Sequence, residues 1–305
     1  MFKKENIILV TGATGSQGGA VAAALLKNGN SVRVIVRQSS KHSKAADELE
    51  NAGAEVVIAD MDDITSIEAA MAGVYGLFSV QGMDNGTNSE RRHADTLVAA
   101  ALKTGIRHVV HASVNQTGNH ESFPDWDTNR WNKKYWLDKQ YAEETIRNAS
   151  FKHWTILRPV FFMDNFIAPK VSFMFPNLVN AQIAVAWKPA SKLQLIAVED
   201  TGTFAAAAFN NVAKFDRHII DLAGDELTIV EIAEQITKVT GKKINVDCVS
   251  EAEAIKRGTH PGFANAQEWN NYVGYNADIK SLKNHRLPTT SFMQYLQKNR
   301  NLLPL

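Results

Sequence analysis

The stretch that most restricts what this chain can fold into is NIILVTGATGSQGGAVAAALLKN, Asn6 to Asn28. Ile7 to Val10 are four consecutive apolar residues, the pattern of a strand buried on both faces. The chain then passes through Gly12, Ala13, Thr14, Gly15, Ser16, Gln17 and Gly18 into an alanine- and leucine-rich helix, Ala20 to Leu26. Glycines at these positions permit a sharp turn, bring main-chain N–H groups against a phosphate and let the helix lie close to the strand. A pyrophosphate held there meets the positive helix end, which is worth about 0.3–1 kcal/mol for each nearby anionic group. A strand before, a helix after and a place near the N-terminus separate such a turn from an ordinary βα connection.

With 305 residues there is room for one large domain, or a large domain and a small one. The composition is 45% hydrophobic and 21% charged with a net charge of +1, which is that of an ordinary globular protein. No run approaches the roughly 18 consecutive apolar residues of a membrane span. The opening MFKKENIILV leads straight into the glycine turn, too short for the apolar region of a secretory leader and without a cleavage site, so a cytoplasmic location is expected. Cys248 is the only cysteine, which rules out an internal disulfide and a cysteine zinc site and marks it as a bystander. The nine histidines are scattered with no His-x3-His pair beside a carboxylate, so no metal is expected. Arg91-Arg92 and Lys133-Lys134 are short and interrupted, and read as solvated surface rather than a nucleic-acid stripe.

Beyond the first unit, strands and helices alternate. The apolar runs predict strands at Ser31–Val36, Glu55–Ala59, Tyr75–Val80, His108–His111 and Trp154–Leu157. Helices are predicted at Ala45–Ala52, Thr65–Ala72, Glu90–Thr104 and Lys133–Asn148. This order implies an α/β fold: a doubly wound parallel Rossmann sheet with helices on both faces. From about residue 160 the pattern loosens into a smaller mixed α/β C-terminal lobe, with strands at Leu193–Val198, His218–Leu222 and Ile244–Val249 and helices at Asp200–Asn210 and Thr228–Thr240. The expected division is residues 1–159 for the nucleotide domain and 160–305 for a substrate or partner lobe, with segments between about 190 and 225 returning to the first domain.

Residues at the carboxyl ends of the strands are the candidate ligand contacts. Arg37 follows the second strand, where the adenosine ribose arrives in this fold. An acid there would accept the 2′-OH of NAD, whereas a guanidinium offers a fork of donors to the 2′-phosphate of NADP. With Lys41 and Lys44 also basic and no acid at Val36 or Arg37, the cofactor is read as NADP(H). Asp60, followed by Met61, ends the third strand, positioned to accept from the adenine amino group; its alternative is a loop aspartate opening the next helix. Ser79, Val80 and Gln81 end the fourth strand and are expected beside the nicotinamide ribose.

The Gly-x-x-Gly-x-x-Gly spacing preceded by Thr11 resembles the short-chain dehydrogenase/reductase superfamily, especially its extended and atypical members. With Arg37, Asp60 and the run Trp154-Thr-Ile-Leu-Arg-Pro-Val-Phe-Phe-Met-Asp-Asn165, the chain resembles the NmrA-like family of atypical members. Lys139-x-x-x-Glu143 and Leu195-Ile-Ala-Val-Glu-Asp-Thr-Gly202 are similar to further segments of that family. The resemblance covers the chain from its N-terminus to about Leu222. It implies that Lys139 meets the nicotinamide ribose and that Val160, Phe161 and Phe162 line the cofactor. It also implies either a reductase of quinones and other planar acceptors, or a silent NADP sensor that binds regulators.

Tyr135 and Lys139 have the Tyr-x-x-x-Lys spacing of an active short-chain reductase, and residues four apart share a helix face. In that role the lysine lowers the tyrosine pKa and the phenol donates a proton to a carbonyl oxygen. The alternative is an aromatic packed on the sheet, in a helix that also carries Trp131, Trp136 and Tyr141. Ser113 is the candidate third hydroxyl, although Val114 competes for its position. Phe161, Phe162, Met163, Phe166, Phe173, Met174, Phe175 and Trp187 are either the core of the small lobe or an apolar slot for a flat acceptor. Two functions remain open on the sequence: NADPH-dependent reduction of a quinone-like or carbonyl compound, or non-catalytic NADP(H) sensing through a regulatory protein partner, with Lys41 and the Gln81–Ser89 loop as the segments expected to move. A small-molecule hydride acceptor or a regulatory protein is the expected partner, with no direct nucleic-acid contact and no membrane, in a monomer or homodimer.

Overall fold

Through the first half of the chain, apolar runs and alanine-rich stretches become strands and helices in strict alternation. They are β1 (Ile7–Val10), α1 (Ser16–Lys27), β2 (Val32–Val36), α2 (Lys44–Asn51), β3 (Glu55–Ile58), α3 (Ile64–Met71), β4 (Val74–Ser79), α4 (Ser89–Thr104), β5 (His108–Ala112), α5 (Lys133–Asn148) and β6 (His153–Pro159). Shorter elements follow: β7 (Phe161–Phe162), α6 (Val171–Met174), β8 (Gln182–Val185), β9 (Lys192–Ile196), α7 (Val198–Asn210), α8 (Val212–Phe215) and β10 (His218–Leu222). The chain ends with β11 (Asp225–Thr228), α9 (Ile229–Thr240), β12 (Asn245–Cys248), α10 (Glu251–Lys256), α11 (Pro261–Tyr272), α12 (Ile279–Leu282) and α13 (Phe292–Lys298). The computed structural model describes residues 6–84 and 86–305. Met1–Glu5, weighed above as the start of a leader, and Asn85 of the Gln81–Ser89 loop lie outside the described residues.

Seven strands form one sheet in the order β10-β6-β5-β4-β1-β2-β3. Neighbours from β3 to β6 run parallel, with Val34 opposite Val10, Leu77 opposite Leu9, and Val109 opposite both Leu77 and Trp154. The order reverses between β1 and β4, so the carboxyl ends of these two strands diverge from a crevice, the usual ligand site of an open parallel sheet. Below it, Leu9, Leu77, Val109 and Ile156 of the strands are buried with Ile67, Met71, Leu97, Val98 and Ala101 of α3 and α4.

The chain divides into two compact units. One comprises the chain up to Gly118, Lys134–Arg158 and Val198–Ile220; the other comprises Asn119–Lys133, Pro159–Ala197 and Asp221–Leu305. In the first unit α7 lies against α1 so closely that a Cβ at Gly202 would collide with the carbonyl oxygen of Ala20. This explains the otherwise puzzling glycine inside an alanine-rich helix: only hydrogen fits where two backbones touch.

The second unit carries a three-stranded sheet, β11-β9-β7, and a two-stranded sheet, β12-β8. β9 runs antiparallel to β11 and parallel to β7, while β12 and β8 are parallel. Its core is aromatic: Phe166 stacks on Phe175 with centroids 4.4 Å apart and meets Phe292 edge-on at 5.1 Å. α9 opens with a capping box, Thr228 accepting from the Glu231 N–H and the Glu231 carboxylate accepting from the Thr228 N–H. β7, β8 and β11, and the helices from α10 onward, are not among the elements expected from the sequence. β7 has only two residues, β8 lies inside the long apolar-rich stretch from Val160 to Trp187, and β11 reads Asp-Glu-Leu-Thr with a single apolar residue, so none stands out as the equally short β1 does.

The Gly202 contact yields a direct test. Gly202→Ala should cost about 1–3 kcal/mol, because neither backbone can retreat from the added methyl group. A urea-denaturation midpoint unchanged from the parent would show that α1 and α7 are not held at this distance.

Candidate functional site

The site is assembled at the carboxyl ends of the parallel strands, beginning with the turn from β1 into α1. Gly12 adopts φ +61°, and a Cβ there would come within 2.9 Å of Val80 Cγ1. At Gly18 a Cβ would collide with the carbonyl groups of Gly12 and Thr11, so the helix can approach the turn only because this residue has no side chain. Gly15 occupies the N-cap position without a side-chain hydrogen bond, and no acidic residue stands in the first turn. The opening N–H groups of α1, at Ser16, Gln17 and Gly18, therefore have no intrahelical or capping acceptor and point their partial positive charge outward. Thr14, Gly12 and Gly15 are exposed around this end, and the buried Gln17 Oε1 has no hydrogen-bond partner among the described residues.

Thr11 serves the site indirectly. It is fully buried, its hydroxyl donates to the Val80 carbonyl at 2.9 Å and accepts from the Val80 N–H at 2.8 Å. That exchange clamps the end of β1 to the end of β4 across the switch point. Beyond β2, Arg37 and Lys41 are exposed, and neither forms an ion pair among the described residues. Beyond β3, Asp60 is exposed, and its Oδ1 accepts from the Asp62 N–H at 3.0 Å, closing a local turn. Asp63, not Asp60, caps α3; Met61 is half-buried against the sheet core.

At the end of β4, Gln81 Nε2 donates to Ser79 Oγ at 2.8 Å. His111 of β5, directly opposite Ser79, lies 3.0 Å by Nδ1 from the Ser79 carbonyl. A carbonyl can only accept, so Nδ1 carries the proton and Nε2 is a bare acceptor; it is buried and has no partner among the described residues. Burial first, and then the Lys139 charge, push the His111 pKa down to about 3 against the opposing Ser79 bond, so the ring stays neutral. Ser113, just past β5, is buried with its Oγ 3.2 Å from Thr117 Oγ1, whose own hydroxyl donates to the Val114 carbonyl at 2.7 Å.

α4 and α5 meet through two adjacent ion pairs. Glu90 Oε1 lies 2.6 Å from Lys139 Nζ, and Arg91 Nε lies 2.5 Å from Asp138 Oδ1. Glu90 and Asp138 are almost wholly buried, and Lys134 adds a second cation to Asp138 at 2.6 Å. Lys134 also reaches Asp84 at 3.3 Å, whose carboxylate accepts from the Ser89 and Gly86 N–H groups. Arg91 and Lys134 thus have specific acidic partners instead of serving as plain solvated surface. Trp131 precedes α5 and lies in the second unit.

Tyr135 and Lys139 are brought together, the ammonium standing 5.6 Å from the ring centroid. The expected lowering of the phenol pKa does not result: burial, and then the negative charge of Glu90, hold it above the usual tyrosine range. The ammonium that would favour a phenolate is neutralised by Glu90. One turn further along α5, Glu143 receives a bidentate bond from Arg158, at 2.8 and 2.6 Å. This explains why Lys139-x-x-x-Glu143 and the Leu-Arg-Pro run occur together.

Val160, Phe161 and Phe162 belong to the second unit. Val160 is buried and its N–H donates to Leu222; Phe161 and Phe162 are half-buried in β7. Phe161 stacks on Phe263 at 5.9 Å, and Lys170 Nζ stands 5.8 Å over Phe162. Met163, Phe166, Phe175 and Trp187 are buried in that unit's core, whereas Phe173 is exposed.

Glu90 and His111 are the two residues that sequence reasoning overlooks. Glu90 carried a readable sign: it stands four residues before Ala94 on the stripe that continues through Leu97, Val98 and Ala101, so a carboxylate occupies a core position. His111, inside an apolar strand, offered only its polarity. Among the described residues, no group of three or more His, Cys, Asp or Glu side chains could hold a metal, and no helix is long and apolar enough to cross a membrane.

The NmrA-like family model matches residues 4–293. The NmrA-like family domain-containing oxidoreductase FrzB of Cladobotryum sp. is 29% identical over 266 residues, covering 80% of this chain and 76% of that protein. The NADPH-dependent quinone oxidoreductase of Escherichia coli, solved with NADPH, superposes with a TM-score of 0.77 at 22% identity, over 97% of this chain and 100% of that one. NmrA, a negative transcriptional regulator solved with NADP, gives a TM-score of 0.75 at 17% identity, over 97% and 95%. At these identities the two structures share the fold with this chain.

The buried imidazole makes a prediction about acid stability. An unfolded histidine takes its proton near pH 6.5, but folded His111 stays neutral down to about pH 3. Above pH 6.5 both states are neutral and the group has no effect; as pH falls from about 6.5 toward 3 the unfolded state is favoured progressively. His108, brought down to about 4 by burial and then by the His153 charge, acts in the same direction. Urea midpoints should fall between pH 7 and 4.5, and more gently in His111→Gln than in the parent. Equal slopes in the two proteins would contradict this account.

Proposed function

The chain belongs to the NmrA-like family, and on that premise we propose that it binds NADP(H) and acts as an NADPH-dependent reductase of a quinone-like or carbonyl compound. The observation that carries the cofactor is the bare N-terminus of α1, with neither a capping side chain nor an acid in its first turn, together with an exposed Arg37 past β2 that forms no ion pair among the described residues. The glycine turn fits a diphosphate, since a side chain at Gly12 would meet Val80 and one at Gly18 would meet the carbonyls of Thr11 and Gly12, pushing the start of α1 away from the turn. Arg37, helped by Lys41, would take the 2′-phosphate, and Asp60, beside Met61, the adenine amino group. Ser79, Val80 and Gln81 would flank the nicotinamide ribose, with Lys139 reaching its hydroxyls. Val160, Phe161 and Phe162 remain assigned to the cofactor by family resemblance alone.

NADPH, when bound, supplies the hydride. The chain supplies a Tyr135 hydroxyl that stays protonated, a buried ammonium at Lys139 and a neutral His111 beneath them. A phenol held above its ordinary pKa is a weaker acid, so Tyr135 is suited to hydrogen-bonding an oxygen as hydride arrives but gives up its proton less readily than an activated tyrosine would. Ser113, engaged with Thr117, is the weaker candidate for a catalytic hydroxyl. The second reading, NADP(H) sensing without turnover, is favoured by the prior engagement of Lys139 by Glu90.

Thermal unfolding in NADP⁺, NADPH, NAD⁺ and NADH tests the cofactor. A ligand at about 100 times its Kd adds about 2.7 kcal/mol of stability, and the phosphorylated pair should do so at much lower concentration. Arg37→Ala should weaken NADP⁺ about tenfold to a hundredfold and leave NAD⁺ nearly unchanged. Indifference to all four dinucleotides would end the proposal. NADPH oxidation across quinones and aromatic carbonyls then separates a reductase from a sensor: rates equal to the enzyme-free blank throughout would leave only sensing.

A further inference from the structure

Glu90 is a carboxylate with 1% of its surface exposed, on the core-facing stripe of a helix, and nothing so far explains why a charge stands there. Its Oε1 lies 2.6 Å from Lys139 Nζ, which in turn stands 5.6 Å from the Tyr135 ring centroid. The neighbouring rung, Arg91 with Asp138 and Lys134, locks the same two helices, so the carboxylate cannot drift from the ammonium by rotation of one helix alone. An unpaired carboxylate at this depth would be strongly disfavoured, and Lys139 is the cation that compensates it.

We propose that Glu90 is the positioning residue of the Tyr135–Lys139 pair: its buried carboxylate claims the ammonium that would otherwise be free to stabilise a phenolate. The pair is thereby committed to holding a proton on Tyr135 rather than surrendering it. The elevated phenol pKa, to which Glu90 contributes after burial, is what such an arrangement produces. The other charged or titratable groups around the pair do not offset this. His111 on β5 is neutral, and Arg91, Lys134 and Asp138 are engaged with one another. The geometry stands without any cofactor; only its consequence for turnover rests on the reductase reading.

The test is a phenolate difference titration, followed by ultraviolet absorption in the cofactor-free protein. Subtracting the Tyr135→Phe form in each background isolates Tyr135 from the six tyrosines of the chain. In the parent, Tyr135 should contribute nothing up to about pH 11, whereas in Glu90→Gln, where burial remains but the opposing charge is gone and the ammonium is freed, its titration should begin at least about one pH unit lower than in the parent. The double variant Glu90→Gln/Lys139→Met should move it upward again, since the freed ammonium is gone. Far-UV circular dichroism checks folding, and Glu90→Asp, which lengthens the pair but keeps the charge, should give a smaller downward move if Glu90→Gln does not fold. A Tyr135 whose titration begins at the same pH in the parent and in a folded Glu90 variant overturns the proposal. Quinone reduction by a protein with no such shift would sink this role and keep the reductase; a shift in a protein that oxidises no NADPH would do the reverse.

Discussion

Everything at the nucleotide end depends on a backbone-to-backbone contact. α1 begins directly over the turn because Gly18 has no side chain to hold it away from the carbonyls of Thr11 and Gly12. The N-cap residue is itself a glycine, Gly15, so no capping side chain meets the first N–H groups of α1. A helix start of this kind calls for an anion. The Thr11–Val80 exchange then ties the same turn to the end of β4, so the opening of α1 and the end of β4 are held in one arrangement.

At the other end, charge takes over from backbone. Glu90 and Asp138 lie in a region from which water is excluded, and each is compensated by a cation from the facing helix. The crossed order, Glu90 with Lys139 and Arg91 with Asp138, allows only one register of α4 on α5. Buried ions are poor contributors to net stability but strict about geometry, which suits a place where an ammonium must stand near a phenol. Asp84 extends the network to the loop before α4. There the Ser89 and Gly86 N–H groups and Lys134 overcome the cost of burial and bring its pKa down to about 2.

The sheet was legible because each of its strands is a short apolar run bounded by a turn residue. β1, α5 and β10 can be read to the residue. The second unit was less legible, since β7 has two residues, β8 lies inside a longer apolar-rich stretch, and β11 carries one apolar residue among polar ones. Among the candidate site residues, those that follow from position along a strand, such as Arg37 past β2 and Ser79 at the end of β4, could be placed from the sequence. Those that depend on a partner could not. Thr11 is a clamp only because the end of β4 lies beside it, Asp60 spends one oxygen on its own turn, and Tyr135 is not activated because Glu90 lies across the helix pair. A Tyr-x-x-x-Lys spacing reports that two side chains share a face, but the charge on the opposite face decides what they do.

Arg37 and Lys139 therefore play opposite parts. Arg37 is exposed and unpaired among the described residues, so its full attraction is available to an incoming phosphate. Lys139 is already neutralised, so any hydroxyl it meets is recognised by hydrogen bonding rather than by net charge. On the proposed reading, affinity and dinucleotide choice would be concentrated at the phosphate end, while the Tyr135–Lys139 end would be tuned by burial and by Glu90. Such a separation lets one change without the other. A substitution at Glu90 can alter the protonation of Tyr135 with the diphosphate cradle untouched, because that cradle is made of main chain alone.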